Sequence, residues 1–147
     1  MLLSGGSEQW GILMVILYDR FNLPKDIFEV IFSTGQQKIV ANELIKYLIH
    51  NKGEVTKTEM SLFATRLHDG QYECVLEDPP YKGKKVKLSY NKRQFYDRIL
   101  TPMKSMGLID YDLYKKTYKI STKFANDMIE IGIMWKSELK KLGAQLS

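Results

Sequence analysis

Few side chains in this sequence have the types and spacing that bond chemistry needs. His50, His68 and Cys74 are its only soft metal ligands, and their spacing matches no zinc pattern. His50 falls at the end of a predicted helix, where an imidazole meets the last carbonyls. Glu73, Glu77 and Asp78 form a short acidic group, but the other features of a metal-dependent nuclease site are missing. There is no glycine-rich phosphate loop and no nucleophile elbow. The expectation is a chain that is not an enzyme and takes neither metal nor cofactor.

Charge is the more informative chemistry. The net charge is +5, and it is unevenly spread. Residues 1–80 hold 7 basic and 11 acidic side chains, whereas residues 81–147 hold 15 and 6. The stretch 82–123 alone sets 12 basic residues against Asp97, Asp110 and Asp112. A solvated face usually mixes signs, so such a block suits a polyanion, or else a basic surface kept for solubility. Lys92, Arg93, Gln94, Asp97 and Arg98 fall within one predicted helix. Arg and Lys pair with guanine edges, Gln pairs with adenine, and a carboxylate accepts from cytosine. Asp97 can instead hold Arg93 or Arg98 in place.

The elements that must carry these residues follow from periodicity and caps. Residues 7–21 predict a helix buried nearly all round, with Ser7 as cap. Pro24 opens a second helix over about 24–33. A third runs from 36 to 51, with Ile39, Val40, Leu44, Tyr47 and Leu48 on one side and Gly53 as its stop. Glu54-Val55 is a short extended piece. Thr56 and Glu59 form a capping box ahead of a helix over 57–68 that buries Met60, Phe63, Ala64 and Leu67. Residues 72–76 and 84–88 alternate as strands around a Pro-rich link, and place Lys82, Lys84, Lys85 and Lys87 on one arm. Asn91 caps a helix over 91–106 whose inward stripe is Phe95, Ile99, Met103 and Met106, with Pro102 kinking the last turn. Residues 108–111 and 117–120 read as two strands with Lys115, Lys116 and Lys119 at or near their turn. Tyr114 there is expected to pack on the hairpin. A final helix of about 20 residues from 123 carries Phe124, Met128, Ile131, Trp135, Leu139 and Leu142.

From residue 36 the order is helix, short strand, helix, insertion, helix, hairpin. Three phrases carry a likeness: 40–48 (VANELIKYL), 54–60 (EVTKTEM), and 91–100 (NKRQFYDRIL) followed by Met103 and Gly107-Leu108-Ile109. They resemble the winged helix-turn-helix domain of bacterial and archaeal transcription regulators, over about 85 residues. The resemblance implies a mainly α fold with small antiparallel β-hairpins (α+β). It implies a winged-helix domain over 36–122 with a hairpin insertion at 69–88, flanked by N-terminal helices in 1–35 and a dimerising helix in 123–147. It further implies a homodimer that reads double-stranded DNA with the 91–106 helix and the 108–120 wing. DNA contacts would come from Lys92, Arg93, Gln94, Asp97, Arg98, Lys115, Lys116 and Lys119, and from Lys84, Lys85 and Lys87 on the insertion. The dimer contacts would come from Trp10, Leu13, Leu17, Met128, Ile131, Trp135 and Leu139. A winged-helix module for protein–protein assembly and a plasmid or virus replication protein are the alternatives. The insertion departs from the pattern, since a turn of about three or four residues usually joins the two helices.

The remaining composition is that of a globular chain of 147 residues, 44% hydrophobic and 27% charged, which fits one domain. The longest apolar run, Trp10–Tyr18, is far short of the roughly 20 residues of a membrane span and lacks the flanks of a signal peptide. One cysteine cannot form an internal disulfide, which fits a reducing, cytoplasmic setting.

Overall fold

A computed structural model describes residues 18–76 and 82–145. It is an α+β chain of helices and two small antiparallel sheets. The helix expected over 7–17, with Trp10, Leu13 and Leu17, lies outside the described residues. Two compact units divide the chain, Met1–Asn42 and Glu43–Ser147.

In the first unit, Tyr18 and Asp19 are not helical, contrary to the reading of a helix through residue 21. The Asp19 carboxylate accepts from the Phe21 N–H and starts a short 3-10 turn, Arg20–Asn22. Helix α1 is Ile27–Ile31, shorter than expected. Asp26 accepts the Phe28 N–H and so caps the helix, which starts three residues after Pro24. Phe32 is buried, while Ile27 is exposed.

Helix α2 is Gly35–His50. It is followed by β1, Glu54–Thr56, and α3, Lys57–His68. The capping box forms as expected: Thr56 Oγ1 accepts from the Glu59 N–H at 3.1 Å, and the Glu59 carboxylate accepts from the Thr56 N–H at 2.9 Å. Strands β2, Tyr72–Leu76, and β3, Lys84–Leu88, pair in an antiparallel ladder that sets Cys74 opposite Val86.

The next helical stretch is not a uniform α-helix. It consists of α4, Lys92–Phe95, a π segment, Tyr96–Leu100, and α5, Thr101–Ser105. The Thr101 N–H reaches back to the Tyr96 carbonyl. Pro102 has no N–H for the carbonyl of Arg98 and its ring crowds that oxygen. The chain relieves this in the turn before Pro102, as a π bulge, rather than in the last turn. The wider turn carries Leu100 inward beside Ile99. The buried stripe is therefore Phe95, Ile99, Leu100 and Met103, with Met106 only half-buried.

Strands β4, Ile109–Asp112, and β5, Thr117–Ile120, complete a three-stranded sheet in the order β1-β5-β4. Val55 and Tyr111 both pair with Tyr118 across it. Helix α6, Lys123–Lys141, follows. Its start is pinned by Gly107, whose φ is +82° and whose carbonyl accepts the Phe124 N–H at 3.0 Å. A Cβ at Gly107 would stand 3.0 Å from both Lys123 Cβ and the Phe124 nitrogen. Glycine thus meets two demands there, left-handed backbone and close approach.

Phe63 is the hub of the second unit's core. Its ring stacks on Tyr47 at 4.9 Å, meets Tyr72 edge-on at 5.1 Å and contacts Phe95 at 5.5 Å. Such pairs add about 0.5–1.5 kcal/mol each beyond their area burial.

Candidate nucleic-acid interface

The 92–105 helix is positioned by its inner face. Phe95, Ile99 and Met103 are fully buried, which directs the residues between them outward. The long insertion does not separate this helix from α3. The insertion is pinched at its base, where the Tyr90 N–H donates to the Leu67 carbonyl at 2.9 Å. The Lys92 N–H donates to His68 Nδ1 at 3.1 Å. The ribbon is also sewn into the core: Cys74 and Tyr90 are buried, and Tyr72 packs on Phe63. Twenty extra residues therefore leave the two helices packed, because only their ends have to meet.

The expected contact residues divide into groups. Arg93, Gln94, Asp97 and Arg98 are exposed on the outer face. Arg93 Nε stands 3.7 Å from the Asp97 carboxylate, one helical turn on, and its side chain is 91% exposed. Asp97 thus restrains Arg93 loosely, at a separation beyond a hydrogen bond.

Lys92 is a correction. It points back to α3, where its ammonium donates to Thr65 Oγ1 at 2.9 Å and Ser61 Oγ at 3.2 Å. Ser61 and Thr65 stand one helical turn apart, so both hydroxyls reach one cation. Lys92 joins two helices and is not a free outer-face charge.

The turn after β4 is built by Asp112. Its carboxylate accepts the N–H groups of Tyr114 and Lys115, both at 2.9 Å. The Lys115 N–H holds that carboxyl below the usual carboxylate range, against a smaller desolvation effect. Lys116 adopts a φ of +55° and closes the turn. Lys115, Lys116 and Lys119 are exposed. Tyr114 is 98% exposed, so it does not pack on the hairpin as expected. The ring pair that does pack there is Tyr111 on Tyr118, 4.6 Å apart. Lys104 lies 5.8 Å from both of their centroids. This cation–π clamp was not legible in the sequence, because it joins a helix to two strands. Lys123 is tied to Asp110 at 3.0 Å.

The lysines of the insertion do not form one patch. The ladder sets Lys85 and Lys87 on one face with Val75 and Glu73, and Lys84 on the other. Lys85 also pairs with Glu73 at 3.5 Å. Of the expected dimer residues on α6, Met128, Ile131 and Trp135 are exposed and Leu139 half-buried. Trp10, Leu13 and Leu17 lie outside the described residues.

Two features escaped the sequence. Glu43 is buried, held by the Lys46 ammonium at 3.2 Å and the Tyr72 hydroxyl at 3.4 Å. Burial raises the Tyr72 hydroxyl above its ordinary range, and the Glu43 carboxylate adds to that. Near it, Lys46, Tyr47, His50, Arg66, Tyr72 and Glu73 line an open depression of about 360 Å³. Arg66 lies 5.3 Å from the Tyr72 ring centroid there.

Among the described residues no three His, Cys, Asp or Glu side chains gather to hold a metal ion. No described helix is long and apolar enough to cross a membrane. No family model matches the chain, and neither does any curated protein or solved structure.

Proposed function

We propose that this chain is a winged-helix DNA-binding protein, a cytoplasmic homodimeric transcription regulator that reads duplex DNA with the 92–105 helix. The observation that carries the reading is the division of that helix. Its inner side is fully buried, while Arg93, Gln94, Asp97 and Arg98 form an exposed polar outer face. A helix fits the major groove, where such side chains reach base edges. Two further features support it. The sheet order β1-β5-β4, with the second hairpin strand beside β1, supports the helix, strand, helix, helix, hairpin reading. The turn after β4 presents Lys115 and Lys116 to solvent, where they can neutralise phosphates. Lys92 holds the helix in place and makes no base contact in this reading. Asp97 aims Arg93.

The test is an anisotropy titration of purified protein against random duplex DNA over a salt series. With roughly 6–8 phosphates contacted per dimer, log K against log salt falls with a slope of about −5 to −7. Arg98→Glu with Arg93→Glu abolishes the binding. A flat salt response, or full affinity in that double variant, overturns the proposal.

A further inference from the structure

The depression beside Glu43 has positive charge left over. Lys46, Tyr47, His50, Arg66, Tyr72 and Glu73 line it, all in the second unit. The carboxylates near it already have donors. Glu43 takes the Lys46 ammonium and the Tyr72 hydroxyl. Glu73 pairs with Lys85 at 3.5 Å. The Glu59 carboxylate, close to Tyr47, is held by the Thr56 N–H. Two basic side chains remain. Among the described residues, neither the Arg66 guanidinium nor the His50 imidazole donates a hydrogen bond or pairs with a carboxylate.

Arg66 is also held in place. Its guanidinium lies against the Tyr72 ring, 5.3 Å from the centroid. A planar guanidinium held by its face keeps its N–H edge for a ligand. Tyr72 is fixed in turn, with its ring edge-on to Phe63 at 5.1 Å and its hydroxyl on Glu43. Lys46 adds ammonium donors, since Glu43 takes only one of its N–H groups and the side chain is 51% exposed. Lys46 and His50 come from α2, Arg66 from α3 and Tyr72 from β2. We propose that this depression binds a small phosphate monoester, with Arg66 as its forked donor and Lys46 and His50 completing the clamp.

The donor set selects the ligand. An oxyanion is what Arg recognises through paired N–H groups. Three separate basic side chains suit the three terminal oxygens of a phosphate better than the two of a carboxylate. The space, about 360 Å³, is at the lower end of small-molecule sites, which run from roughly 300 to 1,000 Å³. The Tyr47 ring lines the same space and gives the organic part an apolar surface. The site is not the reading face. Arg66 lies about 120° round α3 from Ser61 and Thr65, which bond Lys92 of the 92–105 helix. The proposal therefore stands or falls independently of the DNA reading.

The experiment follows the backbone amides of the isotope-labelled full chain by NMR. Inorganic phosphate, phenyl phosphate and chloride are titrated in turn at matched ionic strength. Phosphate shifts the amides around Lys46, His50, Arg66 and Tyr72 saturably, phenyl phosphate does so at lower concentration, and chloride does not. Arg66→Gln, at an exposed position, keeps the dispersed spectrum and weakens binding of both phosphates by about tenfold or more. Lys115→Gln, on the turn after β4, leaves that binding unchanged. An equal response to chloride, or full affinity in Arg66→Gln, overturns the site. Phenyl phosphate binding no tighter than inorganic phosphate overturns the organic ligand. A short duplex that shifts these amides where phosphate does not makes the flank a DNA-backbone contact and overturns the proposal. The salt-dependent duplex titration of the parent chain reports separately whether the DNA reading stands.

Discussion

The 92–105 helix and α6 are both amphipathic, but their apolar faces have different surroundings. In the first, Phe95, Ile99, Leu100 and Met103 are buried in the chain's own core. In the second, among the described residues, Met128, Ile131 and Trp135 of a stripe of comparable length are exposed, and Gly107 with the Phe124 N–H fixes the start of the helix. Amphipathicity therefore says that a helix has a partner without saying whose. What separates the two cases is connection. The 92–105 helix is held to α3 by Phe63 against Phe95 and by Lys92 on Ser61 and Thr65. Helix α6 leaves the sheet after its first turn.

The sharpest way to break this contrast is to truncate one anchor in each helix. Phe95→Ala costs about 3–5 kcal/mol, because it removes a fully buried ring. Trp135→Ala, in dilute protein, changes stability by under about 0.5 kcal/mol. Urea titration of both variants checks it, and equal losses would mean α6 has a partner within the chain. Gly107→Ala attacks the joint between the two regions. It costs about 1–3 kcal/mol from left-handed backbone and the 3.0 Å approaches to Lys123 and Phe124. A lowered melting temperature shows it.

A smaller effect separates structural from reading charges. Lys92→Met loses about 1–2 kcal/mol of stability, since Ser61 and Thr65 lose their cation. It leaves the salt slope of DNA binding in place, whereas Arg98→Met keeps stability and reduces the slope by about 1. The smallest effect is pH-dependent. Backbone and side-chain hydrogen bonding with Thr56 lowers the Glu59 carboxyl below its ordinary value of 4.5. A depressed folded value contributes stability above the unfolded value and loses it as pH falls through the folded one. Glu59→Gln is therefore less stable than the parent at neutral pH, and the gap closes on acidification below about pH 4. Urea midpoints at the two pH values measure it. Neither condition should alter the exposed stripe of α6.

Local rules made much of the fold legible. The Thr56–Glu59 capping box, the Asn91 cap, the hairpin ladder of 72–76 with 84–88 and the start of α6 at residue 123 all depend on neighbours a few residues apart. The core positions Phe63, Leu67, Phe95, Ile99 and Met103 followed from helical periodicity. The exposed residues Arg93, Gln94 and Arg98 followed from the same count. The π turn at Tyr96–Leu100 did not, because Pro102 announces a fault but not which turn absorbs it.

What the sequence alone determined is therefore the set of elements, their caps and which face of each is apolar, since these are properties of a few consecutive residues. Only the tertiary structure decided that Lys92 bonds α3, that Glu43 is buried beside Tyr72, that Lys104 lies by Tyr111 and Tyr118, and that Tyr114 stands in solvent. Each of these depends on residues distant in the chain arriving within a few ångströms, which no local pattern encodes. The same holds for α6: its stripe is written in the sequence, but that Met128, Ile131 and Trp135 stand exposed among the described residues is visible only in the folded chain.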